Sequence, residues 1–182
     1  MLSEYKNIMN PNDLPRRRKD LHWFMAGFAD AEGCFSVSVK KQETTRFGWV
    51  LDPVFHVTQH KNHRNILEIF KRELQCGRII QKPGQPETLQ YIVENRRQLA
   101  EKILPFFRKY KLIAKKRDYE LFSEIVQGME NKKHWTKEGF KELLEKAFMM
   151  NQHGKQRKYS LEHVLSNLQD PQRPYVGHPK KT

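Results

Sequence analysis

At 182 residues the chain is long enough for one domain, or two small ones, with a real core. It carries 34 Lys and Arg against 21 Asp and Glu, a formal net charge of +13, and no apolar run approaches a membrane span, so nucleic acid is the default partner rather than a bilayer. Two cysteines, Cys34 and Cys76, make neither a secreted disulfide framework nor a metal cluster, and there is no zinc-finger spacing, phosphate-binding glycine loop or GxSxG elbow.

Residues 1–19 read as a polar, basic N-terminal arm ending in Arg16-Arg17-Arg18-Lys19. With Glu4, Asp13 and two prolines it resembles neither a signal peptide nor a transit peptide. A short apolar helix is predicted from Asp20, as N-cap, to Ala31, stopped by Gly33. Asp30 and Glu32 fall in its last turn, where the helix dipole makes acids cost about 1 kcal/mol or less unless a positive group offsets them. Gly27 and Ala31 stand four apart and share a face that a second backbone can approach closely.

Strands follow. Phe35, Val37 and Val39 alternate with Ser36, Ser38, Lys40 and Gln42, the period of a half-buried strand. Asp52-Pro53 predicts a bulge or an edge position in the next strand, after which Phe55 and Val57 face inward and His56, Thr58 and His60 outward. Asn62 opens a helix with Ile66, Leu67, Phe70 and Leu74 on one side. After Gly77 a strand from Arg78 to Lys82 exposes Arg78, Ile80 and Lys82, and beyond the Pro83-Gly84-Gln85-Pro86 turn Thr88 to Val93 returns with Gln90 outward. Asn95 to Gln98 has the form of a capping box for a helix that Pro105 should kink or shorten. Helices are then predicted over Lys115–Met129, from Thr136 through Phe148, and around Leu161, Val164, Leu165 and Leu168 in a basic C-terminal extension, 151–182.

The order helix, two strands, helix, two strands, helices defines an α+β protein whose core domain spans 20–150, with helices on one face of an antiparallel sheet. The other face carries Ser36, Ser38, Lys40, Gln42, His56, Thr58, Arg78, Ile80, Lys82, Thr88 and Gln90, joined by Arg46 in the connection between strands. An ordinary solvated face mixes acids with lysines, whereas these positions hold none, and their residue types contact phosphates and base edges. Asp30 and Glu32 lie about 200° apart around a helix, so one chain cannot pair them. A two-carboxylate site therefore needs two copies, which the Gly27/Ala31 face could bring together. A hard divalent ion, Mg²⁺, would relieve the repulsion between two such acids and could activate water for phosphodiester hydrolysis. Lys115-Lys116-Arg117 shows the opposite inversion, cations at a helix start, and fixed phosphate is what that arrangement favours.

Met25 to Gly33 resembles the LAGLIDADG motif of homing endonucleases, with Met25 and Phe28 for the two leucines and Glu32 for the second acid. Phe55-His56-Val57-Thr58-Gln59 and Leu104 to Tyr119 resemble further segments of the single-motif members, extending the likeness over roughly 20–130. The resemblance implies the αββαββα LAGLIDADG homing-endonuclease-like fold with extra C-terminal helices. It also implies a metal-dependent homodimer that cleaves both strands of a long, near-palindromic intron-insertion site in double-stranded DNA and leaves short 3′ overhangs. Carried over by position, Glu32 is the metal-binding acid, with the Ala31 carbonyl a further ligand. Gly27, Asp30 and Ala31 are helix-end and interface residues, Gln59 positions water, and Lys115 or Lys116 supplies the active-site cation. Two alternatives use the same scaffold: a splicing maturase that binds its intron RNA, and a non-catalytic DNA-binding regulator. The expected location is an organelle, chloroplast or mitochondrion, or a bacterial or archaeal cytoplasm, without secretion.

Overall fold

The computed structural model describes residues 15–150 and 157–170, so most of the N-terminal arm, the Gly154-Lys155-Gln156 run and the proline-rich tail lie outside the described residues. The alternation in β1 (Gly33–Lys41) and β2 (Trp49–His60) buries every second residue as far as Val37 in β1 and Val57 in β2. The two strands pair antiparallel without interruption from Gly33↔Val57 to Lys41↔Trp49. The bulge expected at Asp52-Pro53 is therefore absent. Pro53 lies on the stretch of β2 that its other neighbour does not reach, so the edge reading holds and the missing N–H costs no bond on that side. β4 (Thr88–Val93) pairs with β2, and β3 (Arg78–Gln81) with β4, giving the antiparallel order β1-β2-β4-β3.

The helices cover one face. α1 (Arg18–Glu32) starts earlier than expected, with Arg17 at the cap position and no side-chain cap. Asp20 instead occupies the first turn, 4.0 Å from Arg17 Nε, where the dipole favours an acid. A 3₁₀ turn over Lys61–His63, capped by His60 Nδ1 accepting the Asn62 N–H at 3.2 Å, delays α2 (Arg64–Leu74) by two residues from its predicted start. Half of the capping box forms. Asn95 Oδ1 accepts the Gln98 N–H at 3.1 Å ahead of α3 (Arg96–Gln98), while Gln98 Oε1 reaches the Gly77 N–H at 3.4 Å instead of turning back. Pro105 does not end the helix. The turn Leu99–Ile103 widens to π geometry, Leu104 N–H bonding back to Leu99 O, and α4 (Leu104–Lys109) follows directly. Widening the turn accommodates the donor that Pro105 lacks.

α5 (Lys116–Glu130) and α6 (Lys137–Met149) complete the helical layer. At the core's centre the Phe35 ring meets Phe55 at 4.9 Å, Phe107 at 5.3 Å, Phe122 at 5.4 Å and Tyr119 at 5.6 Å between centroids. Tilted and edge-on pairs of this kind add about 0.5–1.5 kcal/mol each beyond the area they bury. α7 (Leu161–Ser166) belongs to the same core through buried Val164. Beyond it the chain is tied to the β1–β2 hairpin, Asn167 O accepting from Trp49 Nε1 at 3.2 Å and Phe47 O from the Gln169 N–H at 3.1 Å.

His134, in the 3₁₀ turn Lys133–Trp135, buries its Nδ1 without a hydrogen-bond partner among the described residues. Burial, assisted by Arg96, takes its pKa from 6.5 down to about 4. A pKa lower in the folded state than in the unfolded one leaves stability intact above about pH 6.5 and removes it as pH falls toward about 4. Urea unfolding midpoints measured across that window should fall less steeply for His134→Gln than for the parent; parallel slopes would remove His134 as a cause.

Candidate active site

The centre of the site is the point where α1 runs into β1 with no loop between them. Gly33 makes this possible. Its N–H bonds to Ala29 O, and a Cβ there would stand 2.5 Å from that oxygen. Just before the junction, Asp30 turns its carboxylate to the segment ahead of α5, accepting the backbone N–H groups of Ile113 at 3.0 Å, Ala114 at 2.9 Å and Lys115 at 2.8 Å. Lys115 answers in the other direction. Its ammonium donates to the Asp30 carbonyl and, at 2.9 Å, to the Ala31 carbonyl at the end of α1. Burial alone would raise the Asp30 carboxyl, but the three N–H bonds and the Lys115 charge hold it below its ordinary value.

Each inversion in the sequence thus resolves the other. The acid from the C-terminal end of α1 serves the N-terminal end of α5, and a cation from the start of α5 serves the carbonyls of α1, both placements that the dipoles favour. Asp30 thus has the helix-end role expected of it, and the two elements satisfy one another within a single chain.

The predicted residues divide accordingly. Asp30, Ala31 and Lys115 are joined by hydrogen bonds, and Glu32 is next in the chain, exposed and with no side-chain hydrogen bond among the described residues. Gln59 lies two residues past Val57, the partner of Gly33, with its Oε1 accepting the His60 N–H at 2.7 Å. Lys116 is not drawn in: its ammonium stands 3.8 Å from Glu120 Oε1 on its own helix. Two neighbours were not singled out from sequence. Burial pushes the thiol of Cys34, the first outward residue of β1, up, the charge of Asp118 adding to this and that of Lys115 opposing it. The only signal for Asp118 was an acid three residues into a basic run, at the first turn of α5.

The outward sheet face is less uniform than expected. Asp52 sits on it, paired with Lys40, and Arg78 Nη2 meets Glu94 Oε2 at 2.5 Å. Such exposed pairs contribute about 0–1 kcal/mol, so a phosphate can replace the carboxylate at small cost. Gln42 and Arg46 lie in the β1–β2 connection rather than on a strand, Gln42 Nε2 3.5 Å from Thr44 Oγ1 and the Arg46 guanidinium 5.9 Å from the Phe47 ring centroid. Gln90 Nε2 donates to Thr58 Oγ1 at 3.2 Å, fixing that amide. Burial, with Lys82 nearby, pulls the His56 pKa down and favours a neutral imidazole. Ser36, Ser38 and Thr88 occupy outward positions, and Lys82 extends β3 through its N–H to Thr88 O at 2.9 Å.

A polar antiparallel sheet face ending beside an exposed acid and a positioned lysine is the equipment of a nucleic-acid-directed phosphodiesterase. The family model described as LAGLIDADG endonuclease matches residues 25–126. The chain is 36% identical over 149 residues to the homing endonuclease I-ApeII of Aeropyrum pernix, covering 80% of this chain and 88% of that one. It is 41% identical over 87 residues to the DNA endonuclease I-CeuI of Chlamydomonas moewusii, covering 48% and 40%. Among solved structures, the archaeal intron-encoded homing endonuclease I-Vdi141I complexed with DNA superposes with a TM-score of 0.78 at 40% identity, covering 82% of this chain and 95% of that one. I-CeuI complexed with DNA superposes with a TM-score of 0.76 at 28% identity, covering 85% and 78%. The chain belongs to the LAGLIDADG endonuclease family, and it is an endonuclease of the homing type. The maturase and regulator readings are not favoured by these likenesses.

Replacing Asp30 by Asn removes the charge from three hydrogen bonds and points an amide at donors. Charge-assisted bonds of this kind are worth about 1.5–3 kcal/mol each, so Asp30→Asn should lower unfolding free energy by about 2 kcal/mol or more in chemical denaturation. A loss below about 0.5 kcal/mol would show that the exchange with Lys115 does not hold the junction.

Proposed function

We propose that the enzyme cleaves both strands of a long, near-palindromic double-stranded DNA site as a homodimer, with Glu32 of each copy at the scissile phosphates. The observation that carries this reading is the position of Glu32, exposed at the α1–β1 junction, one residue from the polar sheet face and one from the Ala31 carbonyl that Lys115 engages. Two copies meeting along α1 would cover the exposed side chains of Trp23 and Phe24 and the open Gly27 position, around which no atom lies within 4 Å of an added Cβ. That contact would carry the two Glu32 residues toward one another.

The donors suit a hard divalent ion. One chain offers the Glu32 carboxylate and the Ala31 carbonyl, and no group of three or more His, Cys, Asp or Glu occurs among the described residues. Few protein ligands are what Mg²⁺ takes while keeping its waters, and the second copy supplies the second acid. When bound, such an ion supplies an activated water and stabilisation of the leaving oxygen. The chain's own residues do the positioning. Lys115, anchored on two carbonyls, places positive charge where negative charge develops on the phosphate. Gln59, whose Oε1 is held by the His60 N–H, keeps its amide hydrogens for orienting water. The names of the relatives, from archaeal and intron-encoded sources, support a host compartment that is an organelle or a prokaryotic cytoplasm. Among the described residues no helix is long and apolar enough to cross a membrane.

Glu32→Gln should abolish Mg²⁺-dependent cleavage of DNA spanning the gene's insertion site while leaving binding within about threefold, since the Glu32 side chain makes no hydrogen bond or ion pair among the described residues; cleavage at the parental rate would end the assignment. Two copies bring +26 formal charges, twice the +13 of one chain, so the dissociation constant should rise steeply between 50 and 200 mM salt as counterions are released. A flat salt response in a filter-binding assay would count against duplex DNA as the partner.

A further inference from the structure

The sheet register sorts the outward side chains into diagonal stripes. Moving one strand across and one outward position along at each step, from β1 through β2 and β4 to β3, gives Ser36, His56, Gln90 and Lys82, all hydrogen-bonding groups. The diagonal two stripes away gives Lys40, Asp52, Glu94 and Arg78, which are ion-paired in twos along that line. The diagonals are thus real neighbours in space, a conclusion also supported by the influence of Lys82 on His56. Between these two polar stripes runs a third: Ser38, Val54, Ile92 and Ile80.

Three apolar side chains stand in line on the face away from the core. Val54 and Ile80 are partly exposed, Ile92 is buried between them, and none of the three belongs to the aromatic and aliphatic cluster under the helices. In the major groove the one apolar group that base pairs display is the 5-methyl of thymine. We propose that Val54 and Ile80, with Ile92 buried between them as their support, form a methyl-reading stripe, so that the half-site carries T·A pairs in fixed orientation opposite it. The flanking Ser36, His56, Gln90 and Lys82 read hydrogen-bonding edges on the neighbouring track. This deepens the endonuclease reading and rests on it, because it requires the sheet to lie in a DNA groove.

The test separates the two. The full chain, in EDTA to prevent cutting, is used to select duplexes from a randomised library. Each thymine of the enriched site is then replaced singly by deoxyuridine, which removes only the methyl group. The expected result is a set of positions where uracil weakens binding about fourfold, the value of one buried methylene-sized group. In Val54→Ser and Ile80→Ser, which remove the side-chain methyl groups at partly exposed positions, the same uracil replacement should cost nothing at the matching position. An enriched site whose thymines all tolerate uracil in the parent would overturn the methyl stripe and leave site-specific binding intact. Uracil penalties unchanged in both variants would overturn it equally. Failure to enrich any sequence would overturn the DNA reading itself, and the stripe with it.

Discussion

The exchange between Asp30 and Lys115 is the constraint on which the rest of the site depends. An acid at a helix C-terminus and a lysine at a helix N-terminus are each unfavourable in isolation. Crossed over, they join two segments 85 residues apart in sequence, with the carboxylate closing three backbone donors and the ammonium closing two backbone acceptors. Both sets of groups belong to helix ends, which otherwise have to find water or a ligand. The exchange fixes the orientation of the last turn of α1, and with it the direction in which Glu32 leaves the helix. It also turns the Lys115 ammonium to the end of α1, whereas that of Lys116 faces Glu120 on its own helix.

Much of this could be read from sequence where a residue's role is local. The alternation in Phe35-Val37-Val39 and Phe55-Val57 sets the sheet faces because the side-chain period of a strand leaves no other choice. Gly33 announces a stop because helix and strand meet there without room for a Cβ. What could not be read was any pairing across the chain. That Asp30 turns to 113–115 and that Asp52 and Glu94 partner Lys40 and Arg78 are facts of register and topology, which single residues do not encode. Pro105 shows the same limit from another side. The π turn at Leu99–Ile103 is a cooperative adjustment of a whole turn, whereas the local rule for proline foresees only a break or kink.

The ion pairs on the sheet alter how its charge should be understood. With Lys40 and Arg78 each opposed by a carboxylate, these four residues add no net charge to the face. Long-range attraction to DNA is a property of the summed charge and needs no particular residue. Discrimination between sequences is a short-range property and benefits from a face whose side chains are already placed. Gln90 held by Thr58 and His56 kept neutral by burial are placed in this sense, since neither has to shed a solvation shell of full charge before meeting a base.

A face of this kind must still be brought to bear on the scissile bond, and here the helix–strand junction has a further consequence. Glu32 is the last residue of the helix that presents Gly27 outward, and Gly33 is the first residue of the strand that carries the sheet face. With no loop between them, a displacement of α1 is transmitted to β1 across a single peptide. A surface that seats α1 therefore also sets the angle of the sheet, and in the proposed homodimer association of the copies and positioning on DNA would be one mechanical event. Gly33 is the residue that allows this coupling, because a side chain there would force the two elements apart against the Ala29 carbonyl.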